Sequence, residues 1–408
     1  MNGPQTMTES AYLGHALADR VGEFIQLRRD IHAHPELAFE EHRTSALVAH
    51  KLRGWGYEVT TGLGRTGVVG TLRRGRSQRA LGLRADMDAL PIVEASGRAW
   101  ASTTPGLMHG CGHDGHTAML MGAARYLAET RRFDGTAVLI FQPGEEGYAG
   151  ARAMMEDGLF ERFPCEQVYA QHNSPETPLG VIGITPGPMQ AAVDRIEILI
   201  RGKGGHGARP HQGVDPVLVA GHIITAAQSV VSRNLSAFDQ AVVSICSMQG
   251  GNPGAMSVIP GEVTLVGTVR TYNESVQDQI EDRLRSLCTG IAQGFGASAE
   301  LTYERVYPAT VNTLPEAQFA CDVAASLVGE DKVWRNMLPS MGGEDFSFML
   351  QAKPGAYIRI GQGLPHGPGP HPLHNSRYDF NDEILPLGAA LHASLVEQAL
   401  PLDKAVQP

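Results

Sequence analysis

A mixed-sheet α/β domain interrupted by an inserted α+β domain is what this sequence predicts, and three observations carry the prediction. Short apolar runs alternate with helical periodicities in the first part of the chain, and a different rhythm of strands and helices begins near Ala192. The 408 residues also give room for two or three cores, at roughly 100–200 residues per domain. The expected division is residues 1–190 and 306–408 for a discontinuous α/β domain and 191–305 for the insert.

Taken in order, Leu17, Val21, Phe24 and Ile31 recur at helical spacing until Pro35 stops the pattern, and a second helix is expected over 41–52. Runs at 68–72, 80–83, 137–141 and 168–170 have strand length, with a helical stretch at 118–127 among them. In such sheets the strand ends and the loops after them build the site. From Ala192 the pattern changes: 195–201 alternates apolar and polar, 216–231 reads as a helix, and 241–248 and 263–270 as strands. A helix at 276–291 and a strand at 298–303 complete it. That β-α-β-β-α-β order is the ferredoxin-like sandwich, and the first domain is expected to resume near Pro308.

Hydrophobic residues at 42% against 19% charged suit a globular protein and not a disordered one. A net charge of −10 gives no basic surface for phosphate backbones, so nucleic acid is excluded as the expected partner. Five scattered cysteines, Cys111, Cys165, Cys246, Cys288 and Cys321, do not look like a disulfide framework and suggest a reducing compartment. Met1 to Gly14 lacks the basic and apolar regions of a signal peptide, and no apolar run approaches the roughly 20 residues of a membrane span. A cytoplasmic protein with no membrane partner is expected.

Three clusters could carry chemistry. The densest is His109-Gly110-Cys111-Gly112-His113-Asp114-Gly115-His116, placed just before a helix. Cys111 and His113 are two apart, so in an extended segment both could reach one ion, and thiolate with imidazole suits zinc. The plainer alternative is a Gly-rich turn with a buried thiol. The second, Gln142-Pro143-Gly144-Glu145-Glu146-Gly147, follows a strand; one carboxylate could bind metal while the other faces a water, or both could belong to a solvated turn. In the third, Arg84-Ala85-Asp86-Met87-Asp88-Ala89-Leu90-Pro91, Asp86 and Asp88 share a face and could orient metal ligands, or Asp86 could simply pair with Arg84. His172 and His374 are single candidates that could equally be structural.

The strings Arg28-Arg29-Asp30-Ile31-His32-Ala33-His34-Pro35-Glu36, Leu83-Arg84-Ala85-Asp86-Met87-Asp88-Ala89-Leu90-Pro91 and Met108-His109-Gly110-Cys111-Gly112-His113-Asp114 stand in order with two more. These are Phe141-Gln142-Pro143-Gly144-Glu145-Glu146-Gly147 and Gly342-Gly343-Glu344-Asp345-Phe346. Together they resemble the M20 metallopeptidase superfamily, in its amidohydrolase branch of hippurate hydrolases, N-acyl-amino-acid amidohydrolases and auxin-conjugate hydrolases. The resemblance runs from about residue 20 to 396.

The resemblance implies Cys111, His113, Glu146, His172 and His374 as ligands of two divalent ions, with the Cys111 thiolate shared and Glu145 the general base. Zinc or manganese is expected, with cobalt or nickel possible ions for such a donor set. Asp86 stands where the wider superfamily has a ligand histidine, which leaves Asp88 as the orienting carboxylate. The insert is then a lid and dimerisation domain. Its His206, in Gly202-Lys203-Gly204-Gly205-His206-Gly207, resembles a histidine that reaches the active site of the opposite subunit. Arg270 would meet the substrate carboxylate, with Ser257 and Gly342 as further contacts. The branch usually carries Asn-Val-Ile-Pro where this chain has Ser257-Val258-Ile259-Pro260. The implied function is hydrolysis of a small anionic N-acyl amino acid by a homodimer or dimer of dimers. A dipeptidase or carboxypeptidase of the same superfamily is the alternative, and a non-catalytic metal-binding scaffold dimer the remote one.

Overall fold

The computed structural model describes Leu17 and residues 20–402. The start of the chain, read above as lacking a signal peptide, lies outside the described residues. Two compact units are present. The first comprises the described residues up to Met189, Val311–Leu338 and the chain from Asp345 onward; the second comprises Gln190–Thr310 and Pro339–Glu344. The second unit thus extends beyond the expected 191–305. Its outlying segment is held by backbone bonds from Ala191 N to the carbonyls of Ser340 (3.1 Å) and Gly342 (2.9 Å), a pairing that sequence separation conceals.

The first unit is built on an eight-stranded sheet in the order Glu58–Leu63, Gly67–Arg74, Gly135–Gln142, Ala80–Asp86, Gln167–Ser174, Gly355–Gly361, Ile182–Gly183 and Val333–Trp334. It is mixed. The four strands from Gly135–Gln142 to Gly355–Gly361 run parallel, and antiparallel neighbours flank them. Parallel strands are buried on both faces, and all seven residues of Ala80–Asp86 are buried, the charged Arg84 and Asp86 at its end included.

Successive side chains still go to opposite faces. Leu139, Phe141 and Tyr169 join a core with Phe24, Leu52, Met119 and Leu391 from helices on one side. Val138, Ile140, Val168 and Ala170 meet Met154, Phe346 and Met349 on the other. At roughly 1.5–3 kcal/mol for each large apolar side chain withdrawn from water, these two layers dominate the unit's stability. Asp86 pairs with Gln142 in register, so the ends of adjacent parallel strands finish level and their following loops start together.

The second unit has a four-stranded antiparallel sheet in the order Ala241–Gln249, Glu262–Thr271, Ala192–Arg201 and Ser298–Tyr307. Ile196, Ile198 and Ile200 alternate inward from the central strand against Val219, Ile223, Ile280 and Leu284 of helices Pro216–Ser229 and Glu274–Gly294. Asp215 caps the first helix by accepting from Val217 N (2.9 Å), ahead of Pro216 at the position where a missing N–H costs nothing.

Most expected elements fall within the observed ones, with instructive differences at the ends. The helix expected at 118–127 is His113–Thr130, so it starts inside the polar cluster and not after it. The helix expected at 216–231 stops at Ser229 and passes into a π turn, Val230–Asn234. The strand Glu58–Leu63 escapes sequence reading because its Glu and Thr positions carry little apolar signal. No described helix is long and apolar enough to cross a membrane, and all five cysteines are free.

Candidate metal centre

The polar cluster is shaped by its glycines. Gly112 has φ 97°, and a Cβ there would lie 2.5 Å from Asn173 Oδ1 and 2.6 Å from the Tyr378 hydroxyl, so only glycine fits. The expected extended Cys-x-His segment is therefore a left-handed turn into a helix. Cys111 still sits in the turn, His113 opens the helix, and both are buried. The second cluster is likewise a tight turn. Gly144 has φ 60° with its amide donated to Glu41 Oε1 at 2.9 Å, and a Cβ on Gly150 would come within 1.6 Å of the Pro143 carbonyl. Gly150→Ala is expected to cost about 1–3 kcal/mol by overpacking. Lower Tm and lower turnover together would show it, because the backbone forced to move carries Glu145 and Glu146.

All five expected ligands, and Glu145, Asp86 and Asp88 with them, lie in the first unit. Ligand atoms of Cys111, His113 and His172 are within 4.8 Å of one another, and so are those of Cys111, Glu146 and His374. The two groups share one sulfur. Cys111 Sγ is 3.4 Å from His172 Nε2, and Glu146 Oε1 is 3.1 Å from His374 Nε2.

Hydrogen bonds set the imidazoles for coordination. His172 Nδ1 faces the Asn173 carbonyl at 2.7 Å; a carbonyl only accepts, so Nδ1 carries the hydrogen and Nε2 presents its lone pair toward the sulfur. His113 Nδ1 donates to Asp88 Oδ1 at 3.2 Å, while its Nε2 is buried without a hydrogen-bond partner. Asp88 Oδ2 also accepts the Glu146 amide at 3.0 Å, so one carboxylate orients two expected ligands. His374 adopts φ 63°, unusual for a side chain with a Cβ, and its amide donates to Gly110 O at 2.8 Å.

Asp86 stands a step further back. Its Oδ2 is 2.7 Å from Arg84 Nη1 and 3.8 Å from His113 Nε2, and its Oδ1 accepts from His116 at 2.6 Å. Its ion pair with Arg84 is the plainer reading of that motif, realised alongside an orienting bond to a histidine. Glu145, 7% exposed, accepts the Asp345 amide at 3.3 Å.

The electrostatics invite cations. Burial, then the charges of Glu146, Glu145 and Asp86, push the Cys111 thiol well above its usual range. Burial pulls His113 down, but Asp86, Asp88 and Glu146 override it and push the ring up to about 10. Burial and then His116 hold His172 well below the usual range, neutral and ready to donate. One carboxylate, three imidazoles and one thiol, with Cys111, His113 and His172 buried, Glu146 half-buried and His374 exposed, and with His113 Nε2 orphaned among them, fit divalent ions with affinity for sulfur and nitrogen. Cys111 and His113 both carry protons at pH 7, so cation uptake must expel both. Affinity is therefore expected to rise with pH across the neutral range, up to about tenfold per unit for each proton released; calorimetry in buffers of different ionisation enthalpy would count them.

The other four expected site residues lie in the second unit. His206 is exposed on the short strand Gly205–His206, opposite Val258, and Ser257 next to it accepts the Gly207 amide at 2.7 Å. Arg270, half-buried on Glu262–Thr271, has its Nη1 3.4 Å from where a Cβ on Gly343 would stand, so the Gly342–Gly343 backbone passes beside it. Sequence reasoning assigned no role to Asn173, whose backbone amide donates to His116 Nε2 at 3.2 Å, nor to Asp345. His116 itself was visible at i+3 from His113, a spacing that puts both rings on one helix face.

Such a cluster, close to the ends of parallel strands, offers candidate ligand groups of the kind that hold divalent ions in metal-dependent hydrolases. The chain belongs to Peptidase family M20/M25/M40, whose profile matches residues 82–398. It is 41% identical to hippurate hydrolase of Campylobacter jejuni subsp. jejuni, covering 93% of this chain and 97% of that protein. It is 37% identical to thermostable carboxypeptidase 2 of Saccharolobus solfataricus, covering 91% and 94%. Among solved structures, a dinuclear metal-binding peptidase of the M20 family from Bacillus subtilis matches with a TM-score of 0.81 at 34% identity, covering 94% of this chain and 99% of that one.

Proposed function

We propose that this protein hydrolyses the amide bond of N-acyl amino acids, releasing a carboxylic acid and a free amino acid. The observation that carries the reading is the pair of candidate ligand groups meeting at Cys111, with the buried Glu145 carboxylate next to Glu146. A non-catalytic scaffold has no need of a carboxylate held beside a ligand carboxylate. When bound by Cys111, His113, Glu146, His172 and His374, two divalent ions would polarise the scissile carbonyl and acidify a water. Glu145 takes the proton of the attacking water and passes it to the departing amine nitrogen. Asp88 holds His113 and the Glu146 backbone in place during both steps. The 41% identity to a hippurate hydrolase supports an aromatic acyl group, and the 37% identity to an N-acetylcysteine deacetylase of Bacillus subtilis a small one.

By the resemblance alone, Arg270 is proposed to meet the substrate carboxylate, His206 the scissile carbonyl, and Ser257 and Gly342 the rest of the amino acid. The protein is proposed to work as a cytoplasmic homodimer with zinc or manganese. Arg270→Ala is expected to raise KM about tenfold or more for an N-acyl amino acid and little for its amide, the signature of a lost charge-assisted contact.

The carboxypeptidase reading is favoured by the relative of that name, since the same chemistry serves both. A panel of N-benzoyl and N-acetyl amino acids and dipeptides, each assayed with metal-depleted protein reloaded with zinc, manganese, cobalt or nickel, separates them. Highest kcat/KM on an N-acyl amino acid supports the proposal; a preference for dipeptides replaces it with the second reading.

A further inference from the structure

Beneath the ligand set lies a polar layer that the mechanism above does not use. Arg84, Asp86, Gln142 and Asp345 are all at 0% exposure. Arg84 Nε donates to Gln142 Oε1 (2.8 Å), Nη1 to Asp86 Oδ2 (2.7 Å) and Nη2 to Asp345 Oδ1 (3.1 Å). Gln142 Nε2 donates to the same Asp345 oxygen at 2.7 Å, and the Ala151 amide donates to the other at 2.9 Å. Asp345 is thus gripped by three elements: the strand ending at Asp86, the strand ending at Gln142, and the helix that follows the turn of Glu145 and Glu146. Its own amide points at Glu145 Oε1, 3.3 Å away.

Buried charges of this kind are costly to desolvate, and a layer of apolar side chains would stabilise the fold as well. A guanidinium fork that fixes two carboxylates in one plane supplies geometry instead. We propose that Asp345, anchored by Arg84, is a positioning residue for Glu145: it fixes the amide that holds the base, and the same guanidinium ties that grip to Asp86 under His116. The inference rests on Glu145 being the base, as proposed above. It places a fifth motif, Gly342-Gly343-Glu344-Asp345-Phe346, in the reaction through one of its carboxylates.

The test is a double-mutant cycle of Asp345→Ala and Glu145→Gln with N-benzoylglycine as substrate. Asp345→Ala is expected to lower kcat by about 10–100-fold, the scale of a misplaced catalytic group, with KM within about twofold of the parent and metal content unchanged. In the Glu145→Gln background the same substitution should cost less than about twofold, since the group it positions is already gone. Asp345→Asn, which keeps an acceptor oxygen, should recover most of the lost kcat. Equal losses in both backgrounds, or a loss of metal with a rise in KM, would overturn the proposal. Should Asp345→Ala not fold, Arg84→Lys, which keeps the charge and loses the fork, takes its place in the cycle with the same expectations. A crystal structure of the metal-free Asp345→Ala protein, or of Arg84→Lys should that variant not fold, gives a readout apart from activity: Glu145 with its carboxylate undisturbed after the Asp345 grip is lost would also overturn it. If the parent turns over nothing in the substrate panel, the amidohydrolase reading fails by itself, and the crystal structure still decides whether Asp345 positions Glu145.

Discussion

Glu145→Gln is expected to lower kcat by about 10²–10⁴-fold while both metal ions remain bound and KM changes little. The range is that of a positioned acid–base group removed from a transition state. The neutral amide is nearly the same shape as the carboxylate and can still accept the Asp345 amide, so the turn should not move. Nor does Glu145 belong to either ligand group that meets at Cys111, so coordination should survive. Stopped-flow or steady-state rates set against metal content by plasma emission would check both halves. A rate within about threefold of the parent would remove Glu145 from its role, and loss of metal would make it a ligand.

Cys111→Ala is expected to have an equally large effect by a different route. Its sulfur belongs to both ligand groups, so its removal leaves His113 with His172, and Glu146 with His374, as two separate pairs. Two donors hold a divalent ion far more weakly than three, and activity should fall with occupancy of both ions. His374→Ala breaks only one group and should lose one ion preferentially. Measured occupancy after dialysis, for the two variants side by side, distinguishes a shared thiolate from one that serves a single ion.

The legible part of this protein was its periodicity. Runs such as Ala137 to Phe141 are apolar without interruption because a parallel strand is buried on both faces, and Ile196, Ile198 and Ile200 alternate because the second unit's sheet faces its helices on one side only. Chemistry-bearing residues were legible where they stood close in sequence, as Cys111 and His113 do. What the sequence hid depends on turns and on distance along the chain. Gly112 bends the cluster into a helix start through a left-handed conformation that no spacing rule announces. Asp345 lies far along the chain from the two strand ends it joins, and the bond that brings Ser340 and Gly342 to Ala191 is equally remote. The short pair Gly205–His206 and Val258–Ile259 is too brief to show a period, although it sets His206 next to Ser257.

In the proposed centre one sulfur joins two cation sites. Anomalous diffraction from crystals of the reloaded protein, collected at the absorption edge of the ion used, tests it most directly. Two peaks, each within bonding distance of Cys111 Sγ, with His113 and His172 around one and Glu146 and His374 around the other, are the predicted result; a single peak, or ions that leave the sulfur uncoordinated, would contradict the account.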